Sequence, residues 1–401
     1  MKYKIIILGT DNNAYAFARS VHMYNGDTSL LLGTKRLTYT DGSKILNVRV
    51  YENFDDTGFV AGIKKFLEET AEELKDYKKI LIPCSDGYVK LVAENREFLE
   101  KHFLFNVVDK ELQEKLENKI DFYKICEEYN LAYPKTYIVN SVEEFKKLNL
   151  TYPIAIKPND SVLYAKIHFS DKKKAYKSLD FNESQKIISD MIEAGYNKEI
   201  IIQDFIPGGP EKMGVLNAYV NKNGHVTMLA FARCVLDEVL PTQIGNYNAL
   251  ISENNDELYK SVKEFLEKIN YRGFANFDFK YDERTNSYKV FEINLRQGRS
   301  SFYVTGAGLN MAEILIKDLI YDEDAKLKKL SENHLWLFVS KSVLKKYASP
   351  ENKELALKLI KEKKYSYATH YKKDVTLKRL YHHIRRLLST IKYYPKYVNK
   401  R

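Results

Sequence analysis

Two acidic residues fourteen positions apart, Asp278 and Glu292, carry the clearest chemical signal in the chain. Asp278 lies in Phe277-Asp278-Phe279 and Glu292 in Phe291-Glu292-Ile293-Asn294, and both runs alternate apolar and polar residues as strands do. Strand side chains alternate between faces, so Glu292 and Asn294 share one. If residues 282–287 turn the two runs into antiparallel neighbours, Asp278 joins that face. Two carboxylates and an amide oxygen are hard donors suited to Mg²⁺ held jointly with a substrate phosphate. Arg296 and Arg299 follow at once, and guanidiniums grip phosphate or carboxylate oxygens in a fixed fork. Carboxylates for metals beside guanidiniums for anions describe a phosphoryl-transfer centre better than a solvated sheet face.

Other residues fit the same chemistry less specifically. Lys157 closes the apolar run 154–156 and is followed by Pro158; a lysine at the end of a buried strand is costly unless it meets an anion. Lys119 opens the helical stretch 118–130, where by itself an ordinary surface lysine is the plainer reading. The stretch Ile201-Ile202-Gln203-Asp204-Phe205-Ile206-Pro207-Gly208 is a strand running into a turn. Arg233, in the strand 229–235, either clamps a substrate carboxylate or sits in a surface ion pair, two readings of equal weight. Asp237 and Glu238 are candidates to take a proton from an amine. His334, His370, His382 and His383 lack metal-ligand spacing, and no G-x-S-x-G nucleophile motif occurs.

These residues need a scaffold, and the apolar pattern supplies one. Within residues 1–115, runs that are apolar apart from a leading lysine (4–8, 79–83) or throughout (30–32) alternate with helical stretches (14–24, 59–74), which argues for a parallel sheet covered on both faces. The turn after the first strand, Gly9-Thr10-Asp11-Asn12-Asn13, lacks G-x-G-x-x-G and so argues against a dinucleotide site. Beyond residue 116 the pattern becomes α+β with antiparallel pairing; residues 214–232 alternate about Asn223-Gly224 as a hairpin does. The expected architecture is α/β plus α+β: an N-terminal parallel-sheet domain (1–115), a small α+β lid (116–205), an antiparallel α+β catalytic domain (206–325) and a basic helical extension (326–401).

The 401 residues hold 64 Lys+Arg against 54 Asp+Glu, a net of +10. From residue 341 onward there are 18 basic and 4 acidic residues, so the rest of the chain is slightly acidic. That excludes a uniformly basic nucleic-acid binder, and no nucleic-acid partner is expected. Leu377, Leu380, Ile384, Leu387, Leu388 and Ile391 recur at helical spacing among Lys378, Arg379, Arg385, Arg386 and Lys392. This amphipathic stretch either packs its apolar stripe on the body or lies through 375–397 on an anionic membrane surface. Three scattered cysteines and no run of 18 apolar residues suit a cytoplasmic protein, at most peripheral to the inner membrane face.

The order of these pieces, Lys119 ahead of a small α+β lid and Lys157 within it, a hinge at Gln203–Ile206, Glu211, then Asp278, Glu292, Asn294 and Arg296, resembles the ATP-grasp superfamily of carboxylate–amine ligases over residues 1–325. The resemblance implies an ATP-grasp fold in which Lys119 and Lys157 contact ATP phosphates. The backbone of Asp204 and Ile206 with the Gln203 side chain would then bind adenine, and Glu211 the ribose hydroxyls. It further implies that Asp278, Glu292 and Asn294 ligate two Mg²⁺ and that Arg296 stabilises the acyl-phosphate. Phe291–Thr305 and Lys157-Pro158-Asn159-Asp160-Ser161-Val162 are most similar to the D-aspartate ligase branch. That implies an amino-acid substrate and an amine-bearing precursor, D-aspartate and the lysine of a peptidoglycan precursor. Other amino acids, a peptide, or a non-catalytic nucleotide-binding module at the membrane are the alternatives. Two departures stand out: the loop expected at 159–166 has no glycine, and Gln203 stands where the family commonly has an acid.

Overall fold

Four runs near the N-terminus, β1 (Tyr3–Leu8), β2 (Ser29–Gly33), β3 (Leu46–Val50) and β4 (Lys78–Pro83), form a sheet in the order β3-β2-β1-β4. All three pairings are parallel, with Ile7 of β1 opposite Leu31 of β2 and Ile82 of β4. Ile6, Ile7 and Leu8 have no exposed surface, so helices cover both faces, as the apolar runs predict. The computed structural model describes residues 1–323 and 325–398. Residues 324 and 399–401, which fall in the expected ranges 206–325 and 326–401, lie outside the described residues. The C-terminal ends of β1 and β4 open into two helices. Asp11 caps Asn12–Asn25 by accepting from the Ala14 N–H at 3.0 Å, and Ser85 caps Asp86–Glu94 through the Tyr88 N–H. Such caps contribute about 1 kcal/mol each.

A second sheet, β5 (Thr136–Val139), β6 (Ile154–Pro158), β7 (Tyr176–Ser178) and β8 (Ile200–Asp204), has the order β5-β8-β6-β7 and is antiparallel throughout. Its buried face carries Ile154, Ile156, Ile200 and Ile202 against Phe145, Ile188 and Met191 of the flanking helices. The register sets Lys157 opposite Ile201, and Gln203 between Ala155 and Thr136. Residues 159–166, expected as a loop, instead contain the short helix Ser161–Lys166.

The third sheet holds β9 (Met213–Val220), β10 (Val226–Asp237), β11 (Tyr247–Glu253), β12 (Gly273–Asp282) and β13 (Ser287–Asn294). The later strands β14 (Lys328–Lys329), β15 (Leu335–Leu337) and β16 (Tyr365–Tyr367) belong to it as well. Its path is β13-β12-β9-β10-β11-β15-β16, with β14 beside β10. The expected hairpin at 214–232 is present, with Phe231 opposite Leu216. Gly273 opens β12 at φ +88°, and a Cβ there would lie 2.3 Å from the Asn106 carbonyl oxygen, so only glycine fits.

The chain forms two compact units. The first comprises Met1–Gln113, Gly209–Asp278 and Ile293–Arg401; the second comprises Glu114–Gly208 and Phe279–Glu292. Within the first unit, one continuous core runs from the N-terminal strands to Phe302, Tyr303, Leu315 and Trp336.

Of the two alternatives for the C-terminal helix Leu377–Tyr397, packing on the body through the apolar stripe is not what the structure shows; the helix packs through another face. Arg379, His383, Thr390 and Tyr394 face inward and are buried, whereas Leu377 is 89% and Leu388 59% exposed. The body offers polar partners to that inner face. Arg379 pairs with buried Asp374 at 3.1 Å, and Asp374 also accepts from Tyr15 Oη and Ser43 Oγ (2.8 Å each) and from the Lys44 N–H (2.6 Å). Tyr394 Oη donates to the Asp237 carbonyl at 2.5 Å, and Arg386 to Thr369 Oγ1 at 2.6 Å. A buried charge is tolerated where it is paired and hydrogen-bonded, and beside these polar contacts the Tyr394 ring packs in an apolar cluster with Val235, Leu337 and Leu344.

Candidate active site

In the second unit the strand register brings Lys157 to Gln203. Lys157 Nζ donates to Gln203 Oε1 at 2.9 Å, and Gln203 Nε2 donates to Thr136 Oγ1 at 2.9 Å. Gln203 is buried, so both ends of its amide are used inside the sheet. The Lys157 ammonium lies 5.1 Å from the centroid of the Phe291 ring. Burial lowers its pKa to about 8, the charge of Lys119 adds to the effect, and the carboxylate of Glu292 opposes it. Lys119, Lys157 and Glu292 are therefore within electrostatic reach of one another. Lys119 is the first residue of the helix Lys119–Glu128, capped by Asn118. Tyr123, one turn further on, donates to the Phe291 carbonyl at 2.9 Å and so fixes the backbone beside Glu292. Two ammoniums against one exposed carboxylate leave a positive excess that suits a polyphosphate.

The exit of β8 is tied to the strand pair carrying Glu292. Asp204 receives Arg284 Nη2 at 2.7 Å, and its N–H donates to the Lys135 carbonyl. Lys280 donates to the carbonyls of Ile206 and Gly208 at 2.8 and 2.7 Å.

In the first unit, Asp278 Oδ1 accepts from Tyr247 Oη at 2.7 Å, and its Oδ2 receives Asn294 Nδ2 at 3.4 Å. Asn294 Nδ2 also approaches Asn276 Oδ1 at 3.3 Å. Gly298 packs on that same amide; a Cβ there would lie 2.8 Å from Asn276 Oδ1. Asn294 Oδ1 accepts from Arg296 Nη2 at 3.4 Å, and the same Nη2 donates to Asp86 Oδ2 at 2.7 Å. A polar line thus runs Tyr247–Asp278–Asn294–Arg296–Asp86, ending at the first residue of the helix after β4. Among the described residues the buried Arg296 Nε has no hydrogen-bond partner. Asn13 Nδ2 donates to the Gln297 carbonyl at 2.7 Å, and Asn12 Nδ2 to the Arg299 carbonyl at 3.1 Å, fastening this segment to the turn after β1. Burial raises the pKa of Asp11 in that turn, with Arg296 opposing the rise.

Three expected residues stand apart from this line. Arg299 lies 3.9 Å from the Phe338 ring centroid and 3.9 Å from Glu238, and burial lowers its pKa. Arg233 forms ion pairs with Glu253 (3.4 Å) and Glu351 (3.8 Å), the surface-pair alternative. Glu211 Oε1 accepts from the Gly209 N–H at 2.8 Å. Of the two base candidates, buried Glu238 accepts from the N–H groups of Val239 and Leu240, and the Asp237 carbonyl accepts from Tyr394. Sequence reasoning missed Tyr247, Asn276 and Asp86. Only Asp86 left a signal, as Ser85-Asp86-Gly87 directly after a parallel strand, where α/β sheets place their working turns.

No family model matches the chain. The chain is 40% identical over 388 residues to a D-aspartate ligase of Enterococcus faecium (strain Aus0004), an alignment covering 93% of this chain and 91% of that protein. Its fold is similar to that of N5-carboxyaminoimidazole ribonucleotide synthetase solved as an ADP complex, with a TM-score of 0.61 at 14% identity over 90% of this chain and 96% of that one. It is also similar to an L-amino acid ligase from Bacillus licheniformis, with a TM-score of 0.54 at 12% identity over 80% of this chain and 74% of that one. The two structures show the ATP-grasp fold, and the D-aspartate ligase shows the family within it. The chain belongs to the D-aspartate ligase family of ATP-grasp carboxylate–amine ligases.

Proposed function

We propose that this ligase uses ATP to join the β-carboxylate of D-aspartate to the side-chain amine of lysine in a peptidoglycan precursor. The observation that carries the reading is the polar line Asp278–Asn294–Arg296–Asp86, in which hard oxygen donors lead to a guanidinium held in turn by a carboxylate. Lys119 and Lys157 would neutralise ATP phosphates. The backbone at Asp204 and Ile206 would receive adenine, with Gln203 holding Lys157 beside it, and Glu211 would accept from the ribose.

Among the described residues no three His, Cys, Asp or Glu side chains gather as a metal cluster. Asp278, Glu292 and Asn294 offer two carboxylates and an amide, a donor set that fits Mg²⁺ when the polyphosphate supplies the remaining oxygens. Two Mg²⁺ bound there would act as Lewis acids on the transferring phosphoryl group.

In the first step a β-carboxylate oxygen of D-aspartate attacks the γ-phosphorus, the bond to the β-phosphate oxygen breaks, and ADP leaves. Arg296, anchored by Asp86, would face the charge that develops on the acyl-phosphate. In the second step the neutral lysine amine attacks the acyl carbon, inorganic phosphate leaves, and the amine proton passes to solvent or phosphate. Catalysis in this account is mainly positioning and electrostatics.

The test is to trap the first product. With ATP, Mg²⁺, D-aspartate and hydroxylamine, the full chain should release ADP and phosphate and form the β-hydroxamate of aspartate. Hydroxamate from L-aspartate alone would overturn the substrate and keep the class. No nucleotide turnover with any amino acid and amine would overturn the proposal.

A further inference from the structure

The C-terminal helix turns toward solvent the face that a helix packed on a protein normally hides. Leu377, Leu380, Ile384, Leu388 and Ile391 follow one another at three- and four-residue steps and are 89, 39, 47, 59 and 44% exposed; Tyr381 joins them at 59%. At 1.5 Å per residue this stripe runs for about 21 Å. Single exposed apolar residues are ordinary, but a contiguous stripe marks an interaction surface. At 100° per residue, Arg385, Lys392 and Lys396 fall along one flank of the stripe, and all three are exposed. Lys378 lies on the same flank but pairs with Asp41 at 3.0 Å. The helix contains no Asp or Glu.

We propose that this face docks on an anionic lipid surface, with the stripe entering the headgroup–acyl boundary and Arg385, Lys392 and Lys396 meeting lipid phosphates. Charge complementarity selects this occupant. A second copy of the helix would bring another acid-free face and leave the basic flank without counter-charge. Among the described residues no helix is long and apolar enough to cross a membrane, so the contact is peripheral. Docking leaves the polar face in place, because Arg379 and Tyr394 keep their partners on the body. The inference goes beyond the ligase reading and does not rest on it.

The experiment is co-sedimentation of the full chain with vesicles of phosphatidylglycerol and phosphatidylcholine, set against phosphatidylcholine alone. The protein should sediment with the anionic vesicles only, and less as salt rises. Joint replacement Arg385→Gln, Lys392→Gln and Lys396→Gln should weaken binding about 100-fold. Ile384→Asp with Leu388→Asp should remove binding, with the circular dichroism spectrum retained; should that variant misfold, the glutamine variant carries the test. The proposal is overturned by absence of binding to anionic vesicles, by equal binding to neutral ones, or by undiminished binding of the variants. Self-association without lipid that Ile384→Asp with Leu388→Asp abolishes would also overturn it, assigning the stripe to a second copy.

Discussion

Tyr247 reaches Asp278 through a 2.7 Å hydrogen bond from a residue 31 positions away, and that bond orients a carboxylate proposed to hold Mg²⁺. Removing only the hydroxyl, Tyr247→Phe, should lower kcat about 10- to 100-fold and raise the Mg²⁺ concentration for half activity. Thermal stability should change little, since one hydrogen bond contributes about 1 kcal/mol. An unaltered Mg²⁺ requirement in a titration would make Tyr247 purely structural. Lys157 gives a pH prediction. Its folded pKa of about 8 lies below its ordinary 10.5. The destabilisation is fully present below pH 8 and is relieved as pH rises from 8 toward 10.5, where the unfolded chain holds the extra proton. Nucleotide affinity runs the other way, because phosphates need the charged form. Calorimetry at pH 7 and 9 should show affinity falling about tenfold in the wild type and much less in Lys157→Arg. A flat wild-type profile would remove Lys157 from the phosphate site. That Asp278, Asn294 and Arg296 come together was legible because period-two alternation is local, whereas Glu292 has an electrostatic neighbour in Lys157. Tyr247 and Asp86 were not: Asp86 meets Arg296 from 210 residues away, and no local pattern encodes that.

At the scale of elements, the parallel sheet was legible because its strands are buried on both faces and read as unbroken apolar runs. The strands Leu335–Leu337 and Tyr365–Tyr367 escaped, since three residues show no period. The C-terminal helix was legible only in part. Its amphipathicity was plain in the sequence, but the partners of its inner face, Asp374 for Arg379 and the Val235, Leu337 and Leu344 cluster for Tyr394, lie outside the helix itself. That arrangement makes Asp374 critical. Asp374→Asn keeps the shape but strips Arg379 of its counter-charge, and breaking such a buried pair costs about 3–5 kcal/mol. Denaturant unfolding should show a loss of that order, whereas a loss below about 1 kcal/mol would mean that other contacts hold the helix.

Over the whole molecule, the net charge of +10 separates into distinct tasks. Lys119, Lys157 and Arg296 lie inside the two units, each with a carboxylate nearby or paired. Arg379 and Arg386 face inward and bind the C-terminal helix to the body, while Arg385, Lys392 and Lys396 face outward. The fold class was readable from the order of strands and helices. The way the two units are assembled from separated segments was not, because the chain leaves and re-enters each one. The ligase reading is tested most directly by incubating the full chain with ATP, Mg²⁺, D- or L-aspartate and a UDP-linked muramoyl pentapeptide, measuring phosphate release and product mass together. Phosphate and a product heavier by one aspartyl residue should appear in equal amounts with D-aspartate, and neither with L-aspartate or with Glu292→Gln. Phosphate release without an amide product, or full activity of Glu292→Gln, would contradict the account.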